Sequence, residues 1–303
     1  MRLLASLFLA VMAMLPSAAF AAVKVVATLP SLAAISREVG GADVEVESLL
    51  PANIDPHFAD ARPSLVVTLN RADLVVANGL ELEAGWLPPL LHQARNPRVA
   101  VGTPGYLDAS TVVRRLDIPQ GAVDRAQGDV HPGGNPHFLY DPRAGAAIAR
   151  AIGARLGQID PTHAAAYTQR AQAVAHELET FASSEAARFA AIDATQRQVV
   201  TYHKSLVYLC DWLGLTSPIQ VEPRPGVAPD PAHVARVLSR LRQLPHKVIL
   251  QEEFYPTNTS QTLAQLSQGH LVSLQGGARF AQNQRYIDHV RAISSAVHDA
   301  LTR

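Results

Sequence analysis

Three histidines from distant parts of the chain are the residues best suited to chemistry. His57 lies in Asn53-Ile54-Asp55-Pro56-His57-Phe58, His137 in Gly134-Asn135-Pro136-His137-Phe138, and His203 in Val199-Val200-Thr201-Tyr202-His203-Lys204. Neutral imidazole is the commonest side-chain ligand for a transition metal near neutral pH. Each histidine follows a strand-like run as it gives way to a loop, which is where open α/β sheets hold their ligands. Gathered from so far apart, the three rings would make a site that exists only in the folded chain. A divalent ion held by three neutral rings calls for an anionic fourth donor. Glu252 and Glu253 directly follow the apolar run Val248-Ile249-Leu250. A carboxylate in that place is costly unless it is paired or coordinated. The ordinary alternative is a solvated loop pair, or an ion pair with Arg224 or Lys204.

The chain holds 12 histidines, so most of them must be ordinary. His92, His163, His176, His233, His289 and His298 fall on helical stretches and read as exposed helix surface. His246 and His270 sit beside Pro245 and Gly269, as turn residues do. His131 differs. It lies in the loop Asp129-Val130-His131-Pro132-Gly133-Gly134, just before His137, and is a candidate accessory ligand for capture or release of metal.

The elements that must position these residues follow from periodicity and punctuation. Strands are expected at Val23–Thr28, Val44–Leu50, Leu74–Ala77 and Arg98–Val101, with helices at Leu29–Val39, Pro63–Asn70 and Glu83–Gln93 between them. This alternation predicts a parallel α/β lobe. From Arg143 to Ile192 alanine, glutamine, glutamate and arginine take over. Asp160-Pro161 can start a new helix there, with Asp160 as its cap. His163–Phe189 then continues without Gly or Pro. At 1.5 Å per residue it spans on the order of 40 Å, enough to cross two lobes. Alternation resumes with strands at Gln198–Thr201, Pro218–Val221, His246–Leu250 and His270–Leu274. The helices between and after them are Ser205–Leu213, Pro229–Leu244, Thr257–Gln268 and Arg285–Leu301. The fold class is therefore α/β: two Rossmann-like lobes joined by one long backbone helix, with the candidate metal site in the cleft between them. The expected divisions are residues 1–21 as a signal peptide, 22–142 and 193–303 as the lobes, and 143–192 as the helical linker.

Composition narrows the setting. Arg2, the apolar run Leu3–Leu15 and the small residues of Ala19-Phe20-Ala21 read as a Sec-type export signal. The run is short for a bilayer span of about 20 residues. No cysteine follows it, so no lipid anchor and no membrane insertion are expected once the signal is removed. The 26 basic and 26 acidic residues balance, which gives no reason to expect nucleic acid as a partner. The single cysteine, Cys210, precludes an internal disulfide and reads as a buried core thiol.

These residues also carry a resemblance. Asp55-Pro56-His57, Asn78-Gly79-Leu80-Glu81-Leu82-Glu83 with Gly85-Trp86-Leu87, Asn135-Pro136-His137 with Leu139 and Asp141-Pro142, and Thr201-Tyr202-His203 are similar to motifs of the periplasmic metal-binding proteins of zinc and manganese ABC importers, cluster A-I. Glu222-Pro223-Arg224-Pro225-Gly226-Val227-Ala228-Pro229 looks like a segment of one proteobacterial branch. The resemblance covers nearly the whole mature chain. It implies two lobes bridged by a rigid helix, with His57, His137 and His203 as the imidazole ligands. The family's fourth ligand is often an aspartate in a Leu-Asp-Pro segment. Here the matching stretch is Leu274-Gln275-Gly276-Gly277, without a carboxylate. Glu252 is then the expected fourth ligand, with Gln275 or water as the alternative.

The expected function is binding without chemical conversion. A divalent metal, zinc before manganese, would be captured in the Gram-negative periplasm and passed to an ABC permease. A metallochaperone is a possible loading partner, and a monomer is expected. Three nitrogens and one oxygen suit tetrahedral zinc, whereas manganese prefers more oxygen. A secreted zinc hydrolase, with Glu252 or Glu253 as general base, is the rival class. Against it, there is no His-Glu-x-x-His helix. A binding protein for an organic solute would need an aromatic or arginine-lined pocket, and neither Trp86 nor Trp212 lies at a strand end.

Overall fold

Runs of β-branched residues build the first sheet. In the computed structural model, which describes residues 22–121, 123 and 128–303, strands β1 (Val23–Ala27), β2 (Val44–Ser48), β3 (Leu74–Ala77) and β4 (Tyr106–Asp108) pair in parallel in the order β2-β1-β3-β4. The expected export signal, residues 1–21, lies outside the described residues. The side chains of the central strands alternate between two cores. Val25, Ala27, Leu74 and Val76 join α1 (Pro30–Gly40), α4 (Pro142–Ile159) and α5 (Ala164–Ala190) on one face. Val26, Val75 and Ala77 face α2 (Pro63–Arg71) and α3 (Leu87–Ala94) on the other. Helices thus cover both faces of this parallel sheet, which is why β3 reads as an unbroken apolar run and β1 is interrupted only by exposed Lys24.

The second lobe repeats the scheme with β5 (Val200–Thr201), β6 (Val248–Glu252) and β7 (His270–Leu274), parallel in that order. Val248 and Leu250 pack toward α6 (Val207–Leu213) and α9 (Tyr286–Leu301). Val200 and Ile249 pack toward α7 (Pro231–Arg242) and α8 (Asn258–Ser267). Cys210 packs beside the first of these two cores, and burial pushes its thiol up to about 12. No helix among the described residues is long and apolar enough to cross a membrane.

Helix α5 belongs to both lobes. Its Tyr167, Ala171, Val174, Ala175 and Leu178 sit in the first lobe's core, and its Ala182 and Phe189 in the second's. The 27 residues span roughly 40 Å. Behind the cleft the lobes are tied again. Arg285 bridges Glu38 of α1 at 2.7 Å and Glu177 of α5 at 2.5 Å. Arg37 donates to the Phe280 and Gln284 carbonyls and to Asn283 Oδ1. Helices α4 and α5 lie close because Gly153 faces Ala171: a Cβ at Gly153 would sit 2.6 Å from the Ala171 Cβ. Gly153→Ala is expected to lower stability by about 1–3 kcal/mol through overpacking. That loss outweighs the gain of up to ~1 kcal/mol from removing a helical glycine. Denaturant unfolding of the metal-free protein measures it, and an unchanged midpoint would mean the helix pair can spread.

Three expected elements differ in the structure. Arg98–Val101 is no strand: Pro97–Val99 forms a 3-10 turn, and Val101 is 74% exposed. Thr103 Oγ1 ties that turn by donating to the Arg98 and Ala100 carbonyls, and Tyr106–Asp108 takes the fourth place in the sheet. Pro218–Val221 shrinks to a single parallel bridge between Thr201 and Gln220, as Pro218 has no N–H for a ladder. The helix expected from Glu83 begins only at Leu87, after left-handed Leu80 (φ 51°) and Glu81 (φ 63°).

Candidate metal centre

His57, His137 and His203 meet between the lobes, with ligand atoms all within 4.8 Å of one another. Ring centroids are 5.1 Å apart for His57 and His137, 5.7 Å for His57 and His203, and 5.5 Å for His137 and His203. An ion central to such a triangle needs each nitrogen to move inward by less than about 1 Å to reach zinc–nitrogen bonds of ~2.0–2.1 Å.

Every ring is oriented through its Nδ1. Asp55 Oδ1 lies 2.8 Å from His57 Nδ1, Asn135 Oδ1 2.9 Å from His137 Nδ1, and Glu222 Oε2 2.7 Å from His203 Nδ1. A carboxylate and an amide carbonyl oxygen can only accept, so Nδ1 carries the proton in each ring. The Nε2 lone pairs are left for a ligand, the arrangement that metal-binding histidines favour.

The first two rings share a local device. Asp55 Oδ1 and Asn135 Oδ1 also accept the backbone N–H of His57 and His137, both at 3.0 Å, so each Asx-Pro-His turn sets its own ring. The proline carbonyls of these turns are held as well. Trp86 Nε1 donates to Pro56 O at 2.8 Å, and Asn78 Nδ2 to Pro136 O at 2.9 Å. Beneath them, buried Glu83 accepts from Asn78 N, Gly79 N and Thr28 Oγ1. The segment Asn78–Trp86 thus anchors both turns. Sequence reasoning registered it only as a motif. The strand-end placement expected for all three histidines holds directly for His203 alone, which follows β5. His137 precedes the 3-10 turn Phe138–Tyr140 and helix α4 instead.

The electrostatics separate the rings. Burial pushes His137 well below the usual 6.5, helped by the neighbouring imidazoles. Burial also opposes charge on His203, but its bond to Glu222 and the nearby Glu252 and Asp55 carboxylates outweigh that and raise its pKa. His131 approaches the cluster, with its Nε2 3.4 Å from His57 Nε2, and burial pushes it down to about 4. A cavity of about 180 Å³ flanks the rings, lined by Asp117, Asp129, His131, His137, His203 and Lys204 among others.

The remaining candidates are placed as follows. Glu252 is fully buried at the end of β6 and accepts from Ser205 Oγ; its second oxygen has no partner among the described residues, and burial raises its pKa. It is not part of the three-histidine group. Glu253 pairs with Arg279. Gln275 Oε1 lies 3.2 Å from Gln284 Nε2 and 3.3 Å from His289 Nδ1. His289 and His233, expected on helix surfaces, are buried: His289 between Tyr140 and Tyr286, and His233 with Nε2 3.0 Å from Gln220 O.

Comparison with known proteins supplies the context. Residues 25–300 match the family described as zinc-uptake complex component A, periplasmic (ZnuA). A Treponema pallidum protein is 27% identical over 192 residues, 61% of this chain and 58% of its own length. The manganese ABC transporter substrate-binding lipoprotein PsaA of Streptococcus pneumoniae is 27% identical over 223 residues, 73% of this chain and 68% of that protein. The crystal structure of ZnuA shares the fold, with a TM-score of 0.78 at 20% identity, covering 93% of this chain and 100% of that one.

Proposed function

The chain belongs to the periplasmic zinc-uptake component A family, and from that premise we propose that zinc is its cargo. The family is one of non-enzymatic, extracytoplasmic solute-binding proteins of metal ABC importers, so divalent-metal binding and a membrane permease as partner follow from membership. The zinc reading rests on three imidazoles whose Nδ1 atoms are all engaged, which leaves a converging set of Nε2 donors. Nitrogen-rich, low-coordinate donor sets suit zinc better than manganese. We assign His57, His137 and His203 as ligands and Glu252 as the fourth, on its buried and half-satisfied carboxylate. His131, 3.4 Å from His57, is the accessory donor. Gram-negative periplasmic residence after signal cleavage completes the reading.

Protons compete with metal for these rings, and His203 is the ring contested first because its pKa is raised. Binding needs the neutral form. Affinity is therefore full above the raised His203 pKa and falls by about tenfold per pH unit below it. Chelator-competition titrations between about pH 8 and about pH 6 should show this fall beginning above the free-imidazole range. At either pH zinc should displace manganese. A flat pH profile, or manganese displacing zinc, overturns the assignment.

A further inference from the structure

The three rings are not held equally. His57 and His137 are each set by an acceptor two residues earlier, and their proline carbonyls are pinned from below. His203 is the second lobe's only ring in the group, and nothing so near it in sequence orients it. Its acceptor comes from 19 residues further on. We propose that Glu222 is the positioning residue for His203, and that the segment Glu222–Val227 governs how long bound metal stays. This rests on the ligand assignment above and deepens it.

Glu222 is buried and held in place by its own backbone, whose N–H donates to Tyr202 O at 3.0 Å. Its Oε2 takes two hydrogen bonds at once, from His203 Nδ1 at 2.7 Å and from the Gly226 N–H at 3.0 Å. One carboxylate oxygen thus fixes the ring and folds the loop behind it. That loop reaches the other lobe: Asp129 N donates to Pro225 O at 3.0 Å, two residues before His131. Gly226 makes the approach possible. It adopts φ +73°, and a Cβ there would lie 2.1 Å from Asp129 Oδ2. Displacing this short loop would remove the acceptor from His203 Nδ1 without disturbing either first-lobe turn. Acceptors behind metal-bound histidines typically contribute about 10–100-fold in affinity.

The test uses the full mature protein, with zinc as the probe. Glu222→Gln preserves shape and removes charge, Glu222→Ala removes the acceptor, and Glu222→Asp shortens the reach. Zinc affinity by chelator competition and release by chelator capture should change by about 10–100-fold in Glu222→Ala, mainly through faster release. Glu222→Gln should lie between it and wild type, with Glu222→Asp partly restored. Cobalt(II) absorption should shift in all three while metal-free thermal unfolding stays close to wild type in Glu222→Gln. Wild-type release and an unshifted cobalt spectrum in Glu222→Gln and Glu222→Ala overturn the proposal. Weakened binding with an unshifted spectrum and lowered stability, indicating a structural role alone, also overturns it. Should the wild-type protein itself bind no zinc, or should the His203→Ala variant bind it normally, the ligand assignment fails instead.

Discussion

A His203→Ala variant is expected to bind zinc about 10²–10³-fold more weakly than wild type. Zinc held by four protein ligands has apparent binding energies of about 10–16 kcal/mol, so one ligand carries on the order of 3 kcal/mol. His203 is the one ring that the second lobe brings to the group. Removing it leaves two first-lobe rings and the Glu222 carboxylate, still buried and now held by the Gly226 N–H without its imidazole. His57→Ala and His137→Ala should fall in the same range. The same titration ranks the fourth donor. If Glu252 closes the shell, Glu252→Ala loses nearly as much as His203→Ala, while Gln275→Ala and His131→Ala lose far less. Unchanged stoichiometry and affinity in all three histidine variants would sink the ligand assignment.

The second large effect lies away from the rings. Glu83→Ala is expected to cost roughly 2–4 kcal/mol of stability, because it removes the acceptor shared by Asn78 N, Gly79 N and Thr28 Oγ1, leaving Asn78 N only Thr28 Oγ1 at 3.2 Å and Thr28 Oγ1 only Val76 O at 3.5 Å. Burial raises the Glu83 pKa, which those hydrogen bonds oppose. The loss should also reach the metal centre. Asn78 and Trp86 pin the carbonyls ahead of His137 and His57, and the Glu83 carboxylate holds the turn that carries them. Zinc affinity should drop even in conditions where the variant is fully folded. Urea unfolding and chelator competition on one preparation separate the two effects. A destabilised variant with wild-type affinity would show that the two histidine turns keep their geometry unaided.

Much of this was legible in the sequence because it is written in local code. Apolar runs gave β1, β3 and β6, alternation gave β2, and the Gly- and Pro-free alanine-rich stretch gave α5 nearly to its ends. The histidines stood out by residue type. What stayed hidden depends on tertiary partners. Arg98–Val101 has the composition of a strand, but flanking Pro97 and Gly102 turn it outward, and Tyr106–Asp108 takes its place. His289 looks like helix surface until Tyr140 and Tyr286 enclose it. Glu222 gives no sequence signal of its partner 19 residues earlier, since tertiary pairing brings the two together, through the bridge between Thr201 and Gln220 and the bond from Glu222 N to Tyr202 O. The Asx-Pro-His repeat at His57 and His137 was visible, and its two-residue spacing could have identified the orienting acceptors.

Two helices threading both cores, α5 and α9, with Arg285 and Arg37 clamping the rear, leave the lobes little freedom to swing. Loaded and empty molecules should then share one outline, with superimposable solution-scattering profiles as the signature. A permease meeting them must tell full from empty by touch at a few rim residues rather than by overall shape. Empty carriers would dock nearly as well and occupy the same berth. Import would then be throttled by the ratio of full to empty carriers, not by the number of full ones alone.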